Sequence, residues 1–309
     1  MGRRDAIRKL WRGLLVLGAM GFLALAYRVT FVYELRPGAC VVPPGGAGDP
    51  ADLATGRNAA SAANRAARPL RIVSYNIEGH AALIRGDDYL PEIAQVIRKL
   101  QPDIVALQEV HRGTWEARFA DQAAELQRLT GMTVRFGPSF GVLGGKFGNA
   151  ILTRGALRDV QVVPLPSLGE PRSLLRARVD VDGTELDFLV THLAAWGGLN
   201  RRIRTRQARC LAEQARADRQ RFVLAGDFNA TPASAELATL LDGSLLRLCG
   251  RASEPTHPLL EQRIDYIFAG PGWEIGNTAV VHTGPSDHWP ITAELRPVDS
   301  PQLAAGGAR

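Results

Sequence analysis

A series of polar residues follows apolar runs along this chain. Asn76 comes after Ile72-Val73-Ser74-Tyr75, Glu109 after Ile104-Val105-Ala106-Leu107-Gln108, and His192 after Phe188-Leu189-Val190-Thr191. Asp227 and Asn229 follow Phe222-Val223-Leu224-Ala225-Gly226, Asp265 sits in Arg263-Ile264-Asp265-Tyr266-Ile267-Phe268, and Ser286-Asp287-His288-Trp289-Pro290-Ile291 closes the series. Any one of these reads equally as a turn or helix-cap residue. Repeated at strand ends, where a rigid sheet holds groups in fixed positions, they read as the parts of one reaction.

The residue types suit hydrolysis of a phosphodiester. That substrate is anionic and resists attack, so a hard divalent cation on oxygen ligands such as Glu109 is needed to neutralise developing charge, which favours Mg2+, with Mn2+ as a substitute. A carboxylate or histidine must handle the proton of the attacking water. Amides and cations must hold the non-bridging oxygens. The chain has no Cys/His cluster for zinc, no GxxxxGK loop and no GxSxG elbow.

The elements that carry these residues are readable in outline. Strands are expected at 70–75, 103–107, 147–153, 158–163, 173–181, 185–191, 221–225, 264–268, 277–282 and 290–295. Helices are expected at 91–100, 114–129, 199–219 and 232–242, the last starting at Thr231-Pro232. The mixture predicts two sheets covered by helices in one α/β (α+β) domain of about 230 residues.

The ordered phrases SYNIEG, LQEV, GNAILT, THL, GDFNA, RIDYIF and SDHWPI resemble the endonuclease/exonuclease/phosphatase superfamily of deoxyribonuclease I-like metal-dependent phosphodiesterases over residues 70–296. That superfamily includes abasic-site endonucleases, sphingomyelinases and inositol-phosphate 5-phosphatases. The resemblance implies a four-layer αββα sandwich with its site at one edge of the two sheets. It implies Glu109 as principal metal ligand with Asn76 beside it, and Glu78 and Asp287 as further groups near the metal. Asp227 and Asn229 would orient water and phosphate, Asp265 would polarise His288, and His192 would bind or protonate the phosphoryl oxygens. The general base is either Asp227 or the Asp265–His288 pair.

Three further residues are candidates for substrate binding. Asn149 opens a strand and either faces the site or serves a turn. Arg172 precedes a strand and either binds phosphate or lies on the surface. Arg206 belongs to the run 201–209, where Arg202, Arg206 and Arg209 share one helical face. That face either meets an anionic substrate at the rim of the site or is simply solvated.

The charge is unevenly placed. Residues 1–69 carry 10 Lys/Arg against 4 Asp/Glu, while residues 70–309 carry 27 of each. The basic pI of 9.6 is therefore poor evidence for a nucleic-acid groove. Arg3, Arg4, Arg8, Lys9 and Arg12 precede an uncharged apolar stretch at 13–27. Cleavage at Ala24-Leu25-Ala26 would make residues 1–42 a signal segment with a secreted product. Continuation through Val29–Tyr33, with Arg28 snorkelling, gives roughly 20 residues, enough to span a bilayer. The expectation is an uncleaved membrane anchor, its basic flank cytoplasmic and the catalytic domain extracytoplasmic, periplasmic or extracellular. Residues 43–69, rich in Pro, Gly, Ala and Ser, read as a flexible linker, and 297–309 as a disordered tail. Cys40, Cys210 and Cys249 suggest neither a zinc site nor a disulfide framework, so Cys210 and Cys249 are expected as buried thiols.

The expected function is a divalent-metal-dependent phosphodiester hydrolase. A phospholipid or lipid-linked headgroup fits the tether and ranks first. A DNase-like endonuclease or exonuclease ranks next, and a small soluble phosphoester stays open. A non-catalytic binding module retaining the fold would have lost site residues, yet every matched position holds a competent type. Nothing in the sequence calls for an obligate protein partner.

Overall fold

The computed structural model describes Cys40 and residues 68–142, 144–195, 198–217 and 221–298. Strand β1 (Leu70–Asn76) shows how the layers arise. Its alternate side chains are buried on both faces. Ile72 lies between two sheets with Ile104, Leu175 and Phe188, while Val73 and Tyr75 lie with Ile93 and Ile97 of helix α1 (Tyr89–Leu100). A strand apolar on both faces has to be covered twice. One cover is a second sheet and the other is a helix.

The first sheet adds β2 (Ile104–Arg112), β3 (Thr133–Val142), β4 (Gly145–Thr153), β11 (Trp273–Val280) and β12 (Ile291–Pro297), in the order β11-β12-β1-β2-β4-β3. The second contains β5 (Ala156–Leu165), β6 (Arg172–Val181), β7 (Thr184–His192), β8 (Phe222–Asp227), β9 (Arg247–Leu248) and β10 (Asp265–Ala269), in the order β5-β6-β7-β8-β10-β9. Helix α1 crosses over between the parallel pair β1/β2, and α3 (Gly198–Ala217) between the parallel pair β7/β8. Helices α1 and α2 (Gln122–Thr130) cover the first sheet; α3 and α4 (Ala235–Leu241) cover the second. The expected four-layer αββα sandwich is the observed one.

Register decides where the polar strand ends meet. Along β7, β8 and β10, His192 is opposite Asp227 and Asp227 is opposite Asp265. In the other sheet Asn76 is opposite Gln108, one residue before Glu109. Both sheets therefore end their chemistry-bearing strands at one edge.

Four expectations are corrected. The helix expected from 114 begins only at Gln122, where Asp121 caps Ala124 N–H; Arg118 and Phe119 before it take positive φ and break the helical path. Strand β3, which contains Gly137 and Pro138, was not expected; it is an edge strand, where a proline costs least. Helix α4 starts after Ser234, whose hydroxyl accepts from Leu237 N–H, rather than at Thr231-Pro232. Cys210 is not a thiol. It is disulfide-bonded to Cys40, with Cα atoms 5.5 Å apart, and Gln214 donates to the Cys40 carbonyl at 2.9 Å. Spacing 170 residues apart carries no sequence signature of a pair. Cys249 is a buried thiol, as expected.

The expected anchor at 13–33, nearly all of the linker and most of the tail lie outside the described residues. Among the described residues no helix is long and apolar enough to cross a membrane.

Candidate active site

Glu109 sits at an irregularity of β2, where the pairing with β4 shifts between Leu107 and Val110. Its φ of +59° is uncommon for a residue with a side chain. A bulge of this kind re-aims one side chain out of the strand's alternation. Glu78 (φ +47°) and Asn229 (φ +47°) are held in the same left-handed region. Strain of about 1–3 kcal/mol per residue persists only where surrounding contacts fix it, and here three instances share one site. Gly226 has its own requirement: a side chain there would press on the backbone of Thr191 in the neighbouring strand.

Asn76 joins the sheets. Its amide nitrogen lies 3.1 Å from Glu109 Oε1 and 3.1 Å from Asp227 Oδ2, while its amide oxygen accepts from Glu78 N–H at 3.0 Å. Asp227 Oδ1 accepts from Asn229 N–H at 2.8 Å. The Asn229 amide nitrogen lies 3.0 Å from His192 Nε2 and donates to Leu193 O at 3.2 Å. His288 Nδ1 is 2.8 Å from Asp265 Oδ2, and its Nε2 is 3.8 Å from Asp227 Oδ2 and 3.9 Å from Asp287 Oδ1. Ser286 locks this last segment by donating to Asn76 O at 2.7 Å and accepting from His288 N–H at 3.1 Å.

Of these, Glu109, His192, Asp227, Asn229 and His288 border a cleft of about 400 Å3. Its sides include Phe140 and Phe147, with ring centroids 5.1 Å apart, and Arg172, which is buried. Among the described residues, Arg172 Nε and Nη1, His192 Nδ1 and Asp265 Oδ1 are buried without a hydrogen-bond partner. Unpaired buried polar atoms are costly, so their concentration at one cleft marks a place built to receive polar groups.

The charges are strongly coupled. Burial opposes ionisation of Glu109, but contact with His80, the Asn76 amide and the charge of His288 outweigh it and hold the carboxyl well below its ordinary range. Burial and the neighbouring Asp265 raise Asp227. Burial would lower His288, yet Asp265, Asp227 and Asp287 push it up to about 10. Burial and the adjacent Arg172 charge drive His192 far down, leaving a neutral ring. Glu78 is raised by burial and by Asp287.

Two kinds of donor set are present. Asp227, Asp265 and His288 form one compact group, and His257, Asp287 and His288 another. In both, His288 is already engaged with Asp265. The oxygen-rich alternative is more open: Glu78, Glu109 and Asp287 are each partly exposed, and Asp287 N–H donates to Glu78 Oε2. His80 stands 3.6 Å from both glutamates and is itself raised by Glu109, occupying the place of a cation. Converging carboxylates that repel one another and attract an imidazolium suit a hard divalent ion.

The structure brings Asn76, Glu78, Glu109, His192, Asp227, Asn229, Asp265, Asp287 and His288 together. Arg172 lines the cleft and is not a surface residue. Asn149 is buried and donates at 3.2 Å to the carbonyl of Ser173, the neighbour of Arg172, so it packs between the sheets rather than in the cleft. Arg206 is exposed and is not among the cleft residues. Sequence reasoning missed His257, His80 and His111. Five of the six histidines line the cleft, but His80 lies in a short 3-10 turn, His257 in a loop, and His111 two residues past Glu109 at the end of β2.

The profile of the Endonuclease/Exonuclease/phosphatase family matches residues 73–288. No curated protein matches the sequence. Among solved structures, an endonuclease/exonuclease/phosphatase from Beutenbergia cavernae is 26% identical, with a TM-score of 0.63, covering 75% of this chain and 72% of that one. The human Nocturnin catalytic domain with bound sulfate is 22% identical (TM-score 0.63; 74% of this chain, 95% of that one). A humanized D. rerio TDP2 is 20% identical (TM-score 0.60; 74% and 98%). The last two likenesses speak to fold.

Proposed function

This chain belongs to the endonuclease/exonuclease/phosphatase family and is a hydrolase of phosphoester bonds; from that premise we propose that it is a divalent-metal-dependent phosphodiesterase acting outside the cytoplasm on a lipid or lipid-linked headgroup. The observation that carries the metal-assisted reading is Asn76, whose amide ties Glu109 of one sheet to Asp227 of the other. It holds a metal-side carboxylate and a water-side carboxylate at one fixed separation.

Glu109, Glu78 and Asp287 would hold the cation. Bound there, Mg2+ or Mn2+ would neutralise charge at the phosphoryl group. Arg172, whose Nε and Nη1 have no partner among the described residues, and the neutral His192, positioned by the Asn229 amide, hold the non-bridging oxygens. Asp227, oriented by Asn229 N–H and Asn76, accepts the proton of the attacking water. His288 keeps its Nδ1–H on Asp265 and its Nε2 among Asp227 and Asp287, a setting that favours the imidazolium. That ring therefore donates to the phosphoryl or leaving oxygen rather than serving as base.

The extracytoplasmic placement draws support from the Cys40–Cys210 bond, since disulfides form and persist in oxidising compartments. The lipid reading draws on the basic, apolar N-terminus and the neutral net charge of residues 70–309. The nucleic-acid reading draws on Phe140 and Phe147, a surface on which a base stacks.

Purified full-length chain should cleave bis-p-nitrophenyl phosphate with Mg2+ or Mn2+, and lose that activity with EDTA or His288→Ala. Activity surviving both treatments refutes the mechanism. Parallel assays on choline and inositol phospholipids and on plasmid DNA separate the substrates. A reporter that works only in the cytoplasm, fused after residue 309, should be silent; a strong signal refutes export.

A further inference from the structure

Helix α3 has a face that the site does not use. Arg201, Arg202, Arg206, Arg209, Glu213 and Arg216 are exposed along it, five positive charges against one negative. The inward face is committed: Gln207 and the buried Arg204 bond the carbonyls of Pro166, Ala194 and Ala195. No arginine of α3 lines the cleft. Residues 70–309 carry no net charge, so a net +4 on this face leaves −4 on the remainder. The α3 face is thus a locally cationic surface on a domain with no net charge.

The disulfide determines where that side can be. Cys210 lies in the middle of α3, next to Arg209, and Cys40 lies only seven residues beyond Tyr33, where the apolar stretch ends. Seven residues reach at most about 25 Å. The stripe from Arg202 to Arg216 is itself about 21 Å long. We propose that the outward arginine face of α3 is a docking surface for anionic phospholipid headgroups, kept against the bilayer by the Cys40–Cys210 bond. This rests on the reading of residues 13–33 as a membrane anchor. Without the bond, the 29 residues between Cys40 and Leu70 would let the domain turn any side to the membrane. With it, the cationic side is the near side, within reach of headgroup charge that decays over a Debye length of about 8 Å.

The test uses full-length protein in nanodiscs of phosphatidylcholine alone or with phosphatidylglycerol. Phenylglyoxal modification of arginines is followed by mass spectrometry, with Arg158 on the second sheet as internal control. The expected result is slower modification of Arg202 and Arg209 only in anionic discs. Arg202→Glu with Arg209→Glu should weaken docking on the order of 10²-fold without changing hydrolysis of a soluble diester. Cys40→Ser with Cys210→Ser should abolish the lipid-dependent protection. Equal modification rates in both discs overturn the proposal, as does equal protection by plasmid DNA in the absence of lipid. Failure of the chain to stay with the discs after an alkaline wash instead overturns the anchor reading, and the docking with it.

Discussion

Asn76 and Asp227, 151 positions apart, meet at 3.1 Å across the two sheets, and the same amide nitrogen is 3.1 Å from Glu109. An amide between two carboxylates offsets their repulsion without adding charge. Asn76→Ala removes that spacer. We expect kcat to fall about 10²-fold and metal affinity to weaken about 10- to 100-fold. Asn76→Asp, which adds a third carboxylate, should be worse in both. Steady-state kinetics and a Mn2+ titration measure the two effects.

Asp265 sets the charge of His288. In metal-free protein His288 is pushed up to about 10, with Asp265 the largest of the groups that raise it against burial. The protonated ring therefore persists at neutral pH and is lost as pH rises through that value. Asp265→Asn moves the loss to lower pH, so NMR titration of His288 should shift acidward. The alkaline limb of kcat/KM should move the same way, with an overall loss of roughly 10²–10⁴ in rate.

Metal removal should silence the enzyme without unfolding it. The carboxylates concerned are partly exposed and lie at one edge of three complete hydrophobic cores. EDTA should abolish diester hydrolysis, leave circular dichroism unchanged, and be reversed by Mg2+ or Mn2+. Glu109→Gln should require a higher cation concentration for the same rate.

Arg172 is held for use rather than for stability. It is buried with Glu170 at 2.9 Å as one partner, while its Nε and Nη1 have none among the described residues. Replacing a poorly compensated buried charge by an apolar chain of like size is neutral or stabilising, by about 1 kcal/mol or more. Arg172→Met should thus raise the urea midpoint while raising KM for an anionic diester.

Asp103 links stability to pH at the other end of the sandwich. Its burial opposes ionisation, but Arg68 at 2.8 Å and Arg71 N–H at 2.8 Å outweigh that and lower its pKa. A depressed carboxyl stabilises the fold above its unfolded value near 4, and the contribution fades as pH falls through the folded value. Asp103→Asn should cost about 1–3 kcal/mol at pH 7, with the gap to wild type closing below pH ~4.

The sequence was legible where local pattern and chemistry coincide. Asn76, Asp227 and Asp265 end or begin buried strands, and their apolar neighbours announce those strands. The left-handed turn at Glu109 and the register that sets His192 beside Asp227 are properties of pairing, visible only once strands are aligned. His257 reaches the site from a loop through contact with Asp287 and the His288 ring, neither encoded nearby. Strand β3 was hidden because an edge tolerates the glycine and proline that a central strand rejects. The Cys40–Cys210 pair joins a residue outside the sandwich to one in a helix, a partnership no spacing rule contains.

That bond also decides what a protease can do. A cut anywhere between Cys40 and Leu70 severs the backbone but leaves the two pieces joined through sulfur. Shedding the catalytic domain by such a cut takes a second event, reduction, which can come before or after the cleavage. A digest run without reductant should therefore leave activity with the N-terminal fragment, and adding thiol should release it.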